Sequence, residues 1–495
     1  MKAASYVAFD LGAESGRAVV GRFDGGAIVL EEVRRFPTRS VRLPDGLYWD
    51  ALGLLAELTA ALADVRAAGE RVRSVGVDSW GVDFGLLDAD GSLLANPLSY
   101  RDGRSADFVR QALARVPAEE IYVTTGIQFL PINTLFQLLA LDARGRLDRA
   151  STLLLVPDLL AYWLTGERHA EATNASTTQL LDARTGGWAQ DLIRRLDLPE
   201  RIFPSIVEPA TILGVLLPHV AEATRLPGST PVAAVASHDT ASAVVAVPLS
   251  SPRAAFISSG TWSLVGVELD APVLTPRAHA ANLTNERGFA GTTRLLKNVM
   301  GLWLVQECRR GWLREGDAPD YAELTQLAAA APSGALFDPD LPELLTPGDM
   351  PERIRAACAG AGGEVPMERP SLVRAIFESL ACKYRLVLDE IEGVTGRTID
   401  TVHVIGGGSQ NGFLSQLTAN ISRRRVLAGP VEAAALGNVL VQMHAFGDVG
   451  PLAEMRDLVR RSTPVHAYEP DPASDRWTER YARFQALLGS EVVAR

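Results

Sequence analysis

Short apolar runs alternate with longer segments of helical periodicity along most of the chain. Residues 6–9 form an apolar run that predicts a buried strand, and residues 10–17 predict the turn after it. Residues 18–22 and 27–33 continue the strand pattern on either side of Gly25-Gly26, which is typical of a hairpin turn. Further along lie the short apolar strands and helical segments of an α/β protein: strands 74–78 and 232–235, and helices 51–68, 134–141, 153–164 and 193–196.

The opening pattern recurs near residue 260. Residues 254–258 indicate a strand, Ser259-Gly260-Thr261 a small polar turn, and residues 263–267 a returning strand. Two such units at the heads of two similar halves indicate an internal duplication with its joint near residues 247–253, although strand–glycine–strand units are also common in unrelated proteins. We therefore expect an N-terminal domain of residues 1–247 and a C-terminal domain of residues 248–495.

The second half continues with further strands and helices. It predicts a strand at residues 401–405, a surface stretch rich in proline and glycine at 330–351, and helices at 298–309, 371–390, 413–422 and 433–446. The last of these helices is rich in small residues, which permits close packing.

Composition narrows the class of protein. The 495 residues are 47% hydrophobic and 22% charged, with a formal net charge of −11, which argues against a duplex nucleic acid as partner. Three irregularly spaced cysteines give no disulfide framework, and the scattered histidines predict no zinc site. Residues 1–11 lack the apolar core of a signal peptide and no stretch reaches the length of a membrane span, so we expect a cytoplasmic protein.

Two turns contain residues suited to binding phosphate. In the first, Asp10 ends a strand, where a carboxylate can hold hydrated Mg²⁺, and Gly12 and Gly16 allow a tight backbone whose N–H groups point at an anion. Ser15 could bond a phosphate oxygen and Arg17 could neutralise one, whereas the alternative is a simple turn with an exposed acid. The second turn, residues 258–263, offers hydroxyls and a glycine in the same setting.

The run Gly406-Gly407-Gly408-Ser409-Gln410-Asn411 lies between a predicted strand and a predicted helix. Bare backbone there could carry a flat group such as adenine, or it could be an ordinary strand-end loop. The chain has no Gly-Lys dipeptide, which excludes a P-loop, and this run lacks the last glycine of a dinucleotide fingerprint. Asp83-Phe84-Gly85 spells a protein-kinase tripeptide without the accompanying catalytic loop, so we interpret it as coincidental.

Asp239 is the candidate catalytic acid–base residue. It follows an apolar strand, in the run Ser237-His238-Asp239-Thr240, among small residues that let a ligand approach. Phosphoryl transfer to a hydroxyl needs a carboxylate that orients the hydroxyl and accepts its proton. A helix-capping aspartate would look the same in the sequence.

Several blocks, taken in their order and spacing, resemble the FGGY carbohydrate kinases from residue 7 to about residue 449. The blocks are Phe9-Asp10-Leu11-Gly12-Ala13-Glu14-Ser15-Gly16-Arg17, Val77-Asp78-Ser79-Trp80-Gly81-Val82-Asp83, Thr125-Gly126-Ile127-Gln128-Phe129, Asn133-Thr134-Leu135, Ser237-His238-Asp239-Thr240, Ser259-Gly260-Thr261-Trp262-Ser263, Asn298-Val299-Met300-Gly301-Leu302-Trp303 and the run from Gly406 to Asn411. Glu14 departs from the pattern, since a small polar residue is expected there.

The resemblance implies two actin-like (ribonuclease H-like) ATPase domains flanking a catalytic cleft, with ATP and Mg²⁺ as co-substrate and metal. It implies these ATP contacts: Ala13, Glu14, Ser15, Gly16, Arg17, Thr261, Gln306 and Gly407. It implies these sugar contacts: Gly81, His238, Asp239, Thr240 and Asn298. Asp239 would take the proton of the sugar's C1 hydroxyl, and Asp10 is our own candidate for the magnesium ligand.

The implied reaction is ATP-dependent phosphorylation of L-rhamnulose at C1, in L-rhamnose catabolism. One alternative is a kinase of a related ketose such as L-fuculose, and another is a non-catalytic, ATP-gated sugar sensor of the same fold. The expected partners are a small sugar and ATP, without nucleic acid or membrane, and the expected state is a monomer or a homodimer.

Overall fold

The computed structural model describes residues 4–249, 251–316, 319–472 and 475–493, and the chain forms two compact units. Unit 1 comprises Met1–Pro248, Glu268–Leu295 and Glu432–Thr463, and unit 2 comprises Leu249–Val267, Leu296–Val431 and Pro464–Arg495. The first segment of unit 1 ends next to the predicted boundary at residue 247. Two later segments, both in the expected C-terminal half, also belong to unit 1.

Strands and helices alternate through both units. The strands are β1 (Ser5–Leu11), β2 (Ser15–Phe23), β3 (Ile28–Pro37), β4 (Ser40–Leu43), β5 (Gly46–Trp49), β6 (Val72–Ser79), β7 (Phe84–Leu87), β8 (Thr152–Leu155), β9 (Ala170–Glu171), β10 (Ile206–Val207), β11 (Ile212–Val215), β12 (Pro231–Ala233), β13 (Ala254–Ser259), β14 (Trp262–Leu269), β15 (Thr284–Arg287), β16 (Thr293–Met300), β17 (Thr401–Ile405), β18 (Arg425–Ala428) and β19 (His466–Tyr468).

The α-helices are α1 (Ala51–Ala67), α2 (Ala106–Arg115), α3 (Ala118–Thr125), α4 (Thr134–Asp142), α5 (Val156–Thr165), α6 (Ala172–Ala175), α7 (Gln190–Arg195), α8 (Pro218–Thr224), α9 (Asp239–Val245), α10 (Pro276–Ala280), α11 (Trp303–Arg314), α12 (Tyr321–Ala330), α13 (Met350–Gly360), α14 (Arg369–Thr395), α15 (Gly412–Ser422), α16 (Ala433–Ala445), α17 (Leu452–Ser462) and α18 (Asp475–Val493). In the described part of the chain, no helix combines the length and apolar character needed to cross a membrane.

The main sheet of unit 1 has the order β11-β12-β6-β1-β2-β3. Strand β1 lies in the middle, antiparallel to β2 and parallel to β6. All seven of its residues are buried. A strand covered on both faces has no polar face, which explains its nearly unbroken apolar run. Asp10 is the charged exception and lies near the carboxyl end of the strand.

The sheet of unit 2 repeats the same pattern of pairings around β13. Strand β13 is antiparallel to β14 and parallel to β17, β17 is parallel to β18, and β18 is antiparallel to β19. In unit 1, β1 is antiparallel to β2 and parallel to β6, β6 is parallel to β12, and β12 is antiparallel to β11. The recurring strand–turn–strand unit predicted from the sequence is confirmed, and the sheet topology repeats around it.

Helices α9 and α16, both in unit 1, pack backbone to backbone. A Cβ added to Gly437 would lie 1.8 Å from the carbonyl oxygen of Ser242. On another face of α16, the Gln442 amide donates to the carbonyl of Val7 in β1 (3.0 Å). The predicted small-residue helix is confirmed, and these contacts explain why residues 432–463 belong to unit 1.

Two sequence predictions placed a helix start inside a strand. Residues 298–300 end strand β16 and the helix begins only at Trp303, because Gly301 makes a turn so tight that an added Cβ would lie 2.5 Å from the Trp262 carbonyl carbon. Residues 153–155 belong to β8, and the helix begins at Val156, followed by a proline in its first turn.

The stretch 330–351 was predicted to lie on the surface, and this holds for only part of it: residues 332–333, 342–343 and 346–347 are exposed, whereas residues 335–337 are buried. Phe337 and Met350 are fully buried, and Lys383 on α14 forms ion pairs of 2.9 Å with both Asp338 and Asp340. Proline and glycine indicate turns in the backbone, but they carry no information about whether the intervening side chains are covered.

Candidate active site

Two carboxylates lie side by side at the carboxyl ends of β1 and β6. Asp10 and Asp78 are register partners in this parallel pair, so their side chains lie on the same face of the sheet. Across the hairpin, Asp10 is opposite Arg17, whose guanidinium forms ion pairs with both Asp10 and Glu432. The arginine predicted to meet ATP phosphates is therefore already held between two acids.

The turn between β1 and β2 is tight and fixed by neighbouring residues. The Gly12 N–H donates to the Ser15 carbonyl (3.1 Å), and the Thr38 hydroxyl donates to the Gly12 carbonyl (2.7 Å). Gly16 is buried and leaves no room for a side chain, because a Cβ added there would lie 2.3 Å from the ring of Phe36. Glu14 is exposed at the tip of the turn.

Asp78 is fully buried and was not predicted as a site residue. Its Oδ2 accepts a hydrogen bond from the Asn438 amide (2.6 Å), and Gln442 in turn donates to Asn438 Oδ1 (2.7 Å). Burial raises the pKa of Asp78 well above the usual carboxyl range, and the negative charge of Asp10 adds to the rise. The available sequence signal was an apolar strand that ends on an acid.

Asp239 is the first residue of α9 and keeps 30% of its side chain exposed. Its Oδ1 accepts hydrogen bonds from the Thr240 N–H (2.5 Å) and the Thr240 hydroxyl (3.2 Å). Burial raises the pKa of Asp239, the neighbouring His238 opposes this effect, and the charge of Asp10 adds to it. The residue is therefore a carboxylate of increased basicity that still reaches solvent.

The loop after β6 is joined to the segment that contains Asp239. The Ser79 N–H donates to the Ser237 carbonyl (2.9 Å), and Ser79 and His238 form an isolated parallel bridge. Gly81 follows directly, and a Cβ there would lie 2.9 Å from the Thr177 hydroxyl. Within unit 1 the structure therefore brings together four of the predicted sugar contacts: Gly81, His238, Asp239 and Thr240.

Beyond Gly81 the backbone is strained and firmly held. Val82 has φ of 69°, a left-handed conformation that is unfavourable for a β-branched residue. Its N–H donates to Thr177 Oγ1 (3.1 Å) and its carbonyl accepts from the Thr134 hydroxyl (2.7 Å). Such strain at a loop beside a candidate catalytic residue is typical of a functional site.

Asp83 lies under this loop and has a structural role. Its carboxylate accepts from the indole N–H groups of Trp49 (2.6 Å) and Trp80 (3.0 Å), from the Gln137 amide (2.9 Å) and from the Tyr100 N–H (3.2 Å). All its hydrogen bonding thus goes to neighbouring protein groups, which agrees with the interpretation of Asp83-Phe84-Gly85 as coincidental.

Glu171 fixes the other side of the Asp239 segment. Its carboxylate accepts from the Ser237 N–H (2.9 Å) and hydroxyl (2.7 Å), and from the N–H (2.9 Å) and hydroxyl (2.6 Å) of Thr173. A single buried carboxylate thereby ties α6 to the residues before His238. No local sequence pattern indicated this role.

His238 connects Asp239 to a buried ion pair. Its Nε2 lies 3.4 Å from Asp239 Oδ1, and its Nδ1 lies 3.2 Å from Arg294 Nη2. Arg294 is completely buried and pairs with Glu286 at 3.1 Å. Burial lowers the pKa of Arg294, and the Glu286 charge offsets this. Neither residue was predicted, because both lie more than 45 positions from His238 in the chain.

In unit 2 the predicted turn at Gly260-Thr261 joins β13 to β14. Two N–H groups at the start of α11 hold this turn: that of the N-cap residue Leu302 donates to the Gly260 carbonyl (2.9 Å), and that of Trp303 donates to the Thr261 carbonyl (3.1 Å). Thr261 remains partly exposed. The turn thus has a rigid backbone and an accessible hydroxyl-bearing residue.

The glycine run of unit 2 packs on the same turn. Position 408 requires glycine, because a Cβ added there would lie 2.0 Å from the Ser259 hydroxyl oxygen. Gly406 has a φ of 80°, which also favours glycine. Gly407 differs from both, since it is exposed and an added Cβ would meet nothing within 4 Å. It begins a 3₁₀ turn, Gly407–Gln410, between β17 and α15 and presents open backbone.

The last two predicted contacts are Gln306 and Asn298. Gln306 lies on α11 as expected, and its Oε1 is buried without a hydrogen-bond partner in the described part of the chain. An amide oxygen in that state is suited to a ligand donor. Asn298 was predicted to lie on the same helix, which is wrong, since it lies on β16.

Residues 5–246 match the N-terminal domain, and residues 255–446 the C-terminal domain, of the FGGY family of carbohydrate kinases. The chain belongs to this family. The predicted class of enzyme, an ATP-dependent carbohydrate kinase, is confirmed.

Among curated proteins, the chain is similar to rhamnulokinase of Bacteroides thetaiotaomicron, with 43% identity over 97% of this chain and 99% of that protein. It is also similar to rhamnulokinase of Enterococcus faecalis, with 41% identity over 97% of both chains. The rhamnulokinase of Pectobacterium atrosepticum is 42% identical over 99% of this chain and 98% of that protein.

Solved structures with the same fold include gluconate kinase from Lactobacillus acidophilus, with a TM-score of 0.82 at 18% identity over 99% of this chain and 98% of that one. Ligand-bound xylulose kinase from the same organism has a TM-score of 0.82 at 17% identity, over 98% of both chains. The predicted α/β fold with two actin-like domains is confirmed.

Proposed function

We propose that the protein transfers the γ-phosphoryl group of ATP to the C1 hydroxyl of L-rhamnulose, giving L-rhamnulose 1-phosphate and ADP in L-rhamnose catabolism. The observation that carries the proposal is identity of 40–43% with rhamnulokinases over almost the whole chain. The geometry around Asp239 supports it with a partly exposed, basic carboxylate.

In the proposed reaction Asp239 is the general base. Thr240 and His238 surround its Oδ1, which leaves Oδ2 to accept the proton of the sugar hydroxyl. As that proton moves to the carboxylate, the hydroxyl oxygen forms the new bond to the γ-phosphorus and the bond to ADP breaks. A raised pKa helps, because a stronger base removes the proton more readily near neutral pH.

We assign the remaining predicted contacts by domain. Residues 1–247 hold most of the sugar contacts, namely Gly81, His238, Asp239 and Thr240, and residues 248–495 supply Asn298. The ATP contacts of the second domain are Thr261, Gln306 and Gly407, supported by the accessible turn, the buried amide oxygen of Gln306 and the open backbone of Gly407. Ala13, Glu14, Ser15, Gly16 and Arg17 form the first phosphate turn.

The residues of unit 1 fit a magnesium ion brought in with ATP. Mg²⁺ takes one or two carboxylates and completes its shell with water and phosphate oxygens. Asp10 and Asp78 are adjacent carboxylates, and Asp78 Oδ1 is buried without a hydrogen-bond partner among the described residues. We propose that Asp10 holds the ion, which would neutralise charge on the transferred phosphate. We further propose a cytoplasmic enzyme that acts as a monomer or homodimer.

The test is an ADP-release assay with Mg·ATP against L-rhamnulose, L-fuculose, L-ribulose, D-xylulose and glycerol. We expect the fastest turnover with L-rhamnulose. For Asp239→Asn we expect kcat to fall by about 10²–10⁴-fold, the range that general-base catalysis contributes. Asp349→Asn is the matched control, because Asp349 also begins a helix but caps α13 of unit 2.

Each outcome decides one part of the proposal. If another ketose is turned over fastest, the kinase mechanism stands and the assigned substrate is wrong. Nucleotide turnover that no sugar stimulates, in folded and ATP-binding protein, would favour the sugar-sensor alternative. An Asp239→Asn variant with nearly unchanged kcat would refute the base assignment.

A further inference from the structure

The imidazole of His238 lies between the candidate base and a buried ion pair. On one side Nε2 faces Asp239 Oδ1 at 3.4 Å, and on the other Nδ1 faces Arg294 Nη2 at 3.2 Å and Glu286 Oε2 at 3.3 Å. The exposed fraction of the side chain is 9% for His238, 4% for Glu286 and 0% for Arg294. Water therefore has little access to this row of side chains.

The hydrogen-bond chemistry of Arg294 decides the state of His238. A guanidinium has only donors, so the ring nitrogen that faces Nη2 must offer a lone pair. A proton on Nδ1 would instead place an N–H against the Nη2 donor at 3.2 Å, and its acceptor would have to be Glu286 Oε2 at 3.3 Å. The contact with Arg294 therefore favours a neutral imidazole whose proton lies on Nε2, the nitrogen 3.4 Å from Asp239 Oδ1.

Arg294 is itself fixed in position. Its Nε donates to the Arg287 carbonyl (3.1 Å), and its Nη2 pairs with Glu286 (3.1 Å). Glu286 balances the buried positive charge, so that the guanidinium orients the imidazole without leaving an unpaired charge beside the base.

We propose that Arg294 and Glu286 are positioning residues that hold His238 as the Nε2–H tautomer, with this nitrogen 3.4 Å from Asp239 Oδ1. This inference extends the proposed function, since it explains what keeps Asp239 Oδ2 directed to the sugar hydroxyl. Asp239 accepts the proton, whereas His238, Arg294 and Glu286 neither gain nor lose one during the reaction.

The first measurement is long-range ¹H–¹⁵N NMR of the full-length protein labelled in its histidines, with the His238 signals assigned by their loss in His238→Gln. We expect a bare Nδ1 and a protonated Nε2 in the wild-type protein. A proton on Nδ1, donated to Glu286, would overturn the proposal. This readout does not depend on any substrate, so it separates failure of the inference from failure of the proposed function.

The second measurement uses variants of the ion pair. In Arg294→Met we expect mixed tautomers and a kcat about 10–100-fold lower, a loss of the size that follows removal of a partner that orients a metal-binding side chain, with KM for ATP unchanged. Arg294→Lys keeps a cationic donor and should restore part of both readouts. It also provides the test if Arg294→Met does not fold.

The matched control is Arg104→Met, which removes another well-covered arginine of unit 1, ion-paired with Asp102. We expect it to leave the His238 tautomer and kcat unchanged. Loss of kcat in Arg294→Met with an unchanged tautomer would show a merely structural role for Arg294 and refute the positioning role.

Discussion

At Asp83, burial and hydrogen bonding act in opposite directions. Four N–H donors stabilise its charged form, from Trp49, Trp80, Gln137 and Tyr100. Burial is the larger effect and raises the pKa of Asp83 from 3.8 to about 6. The folded protein therefore holds a proton on this carboxyl at pH values where the unfolded chain has released it.

This raised pKa predicts a pH dependence of stability. Between about pH 4 and pH 6 the folded state binds more protons than the unfolded state, so Asp83 stabilises the protein below this window and its contribution is lost as pH rises through it. A shift of about two pKa units corresponds to about 3 kcal/mol. We expect Asp83→Asn to lose less stability than wild type on going from pH 4 to pH 7, measured by urea unfolding.

The comparison needs a control, because Asp78, Asp158 and Glu171 also have raised pKa values. Asp90→Asn, at an exposed position, should keep the wild-type pH dependence. If Asp83→Asn and wild type differ by the same amount at both pH values, the raised pKa of Asp83 is wrong.

Among the elements, the contact between α9 and α16 is the one that most directly positions Asp239. Helix α9 is short, and its first residue is Asp239. Gly437 lets α16 approach within direct contact of the α9 backbone at Ser242. The position of the candidate base thus depends on a glycine about 200 residues further along the chain.

We expect Gly437→Ala to destabilise the protein. Alanine favours a helix over glycine by about 1 kcal/mol, but its Cβ would lie 1.8 Å from a backbone oxygen, which must move. Overpacking of this kind costs about 1–3 kcal/mol or more. The melting temperature should fall, and kcat should fall with it because α9 shifts.

Gly311→Ala on α11 is the control for helix propensity, because its added Cβ would meet nothing within 4 Å. It should keep or slightly raise the melting temperature. A Gly437→Ala protein that melts at or above the wild-type temperature would contradict the close packing of α9 and α16.

At the scale of the whole molecule, the three cysteines report on the folding of unit 2, which contains all of them. Cys308, Cys358 and Cys382 are free and buried. Burial raises the pKa of Cys358 and of Cys382 to about 12, and that of Cys308 further still. The reactive thiolate is therefore almost absent near neutral pH.

We expect no reaction of the native protein with a thiol reagent at about pH 8, and reaction of three thiols after unfolding in guanidinium. Ser92→Cys, at an exposed position, is the positive control and should react once in the native state. Rapid labelling of a native wild-type cysteine would show that at least one of the three is accessible.

Local sequence determined the parts of this protein that depend on neighbours in the chain. The apolar run of β1, the polar turn at Gly260-Thr261 and the helix at residues 433–446 follow from periodicity and turn chemistry, which act over a few residues. Asp239 could be singled out for the same reason, since a strand, a small-residue turn and an acid are adjacent in sequence. The spacing of several such blocks also gave the family.

Only the tertiary structure decided which distant residues meet. Strand register places Asp78 beside Asp10. Packing places Arg294 and Glu286 next to His238. Packing also makes residues 432–463 part of unit 1, although they lie late in the chain. The tertiary structure also places Asn298 on a strand, where the sequence predicted a helix. The strand ends at a turn around Gly301, and this turn depends on close contact with Trp262, which is distant in the chain. Such contacts depend on shape and burial across long sequence separations, and local patterns carry no information about them.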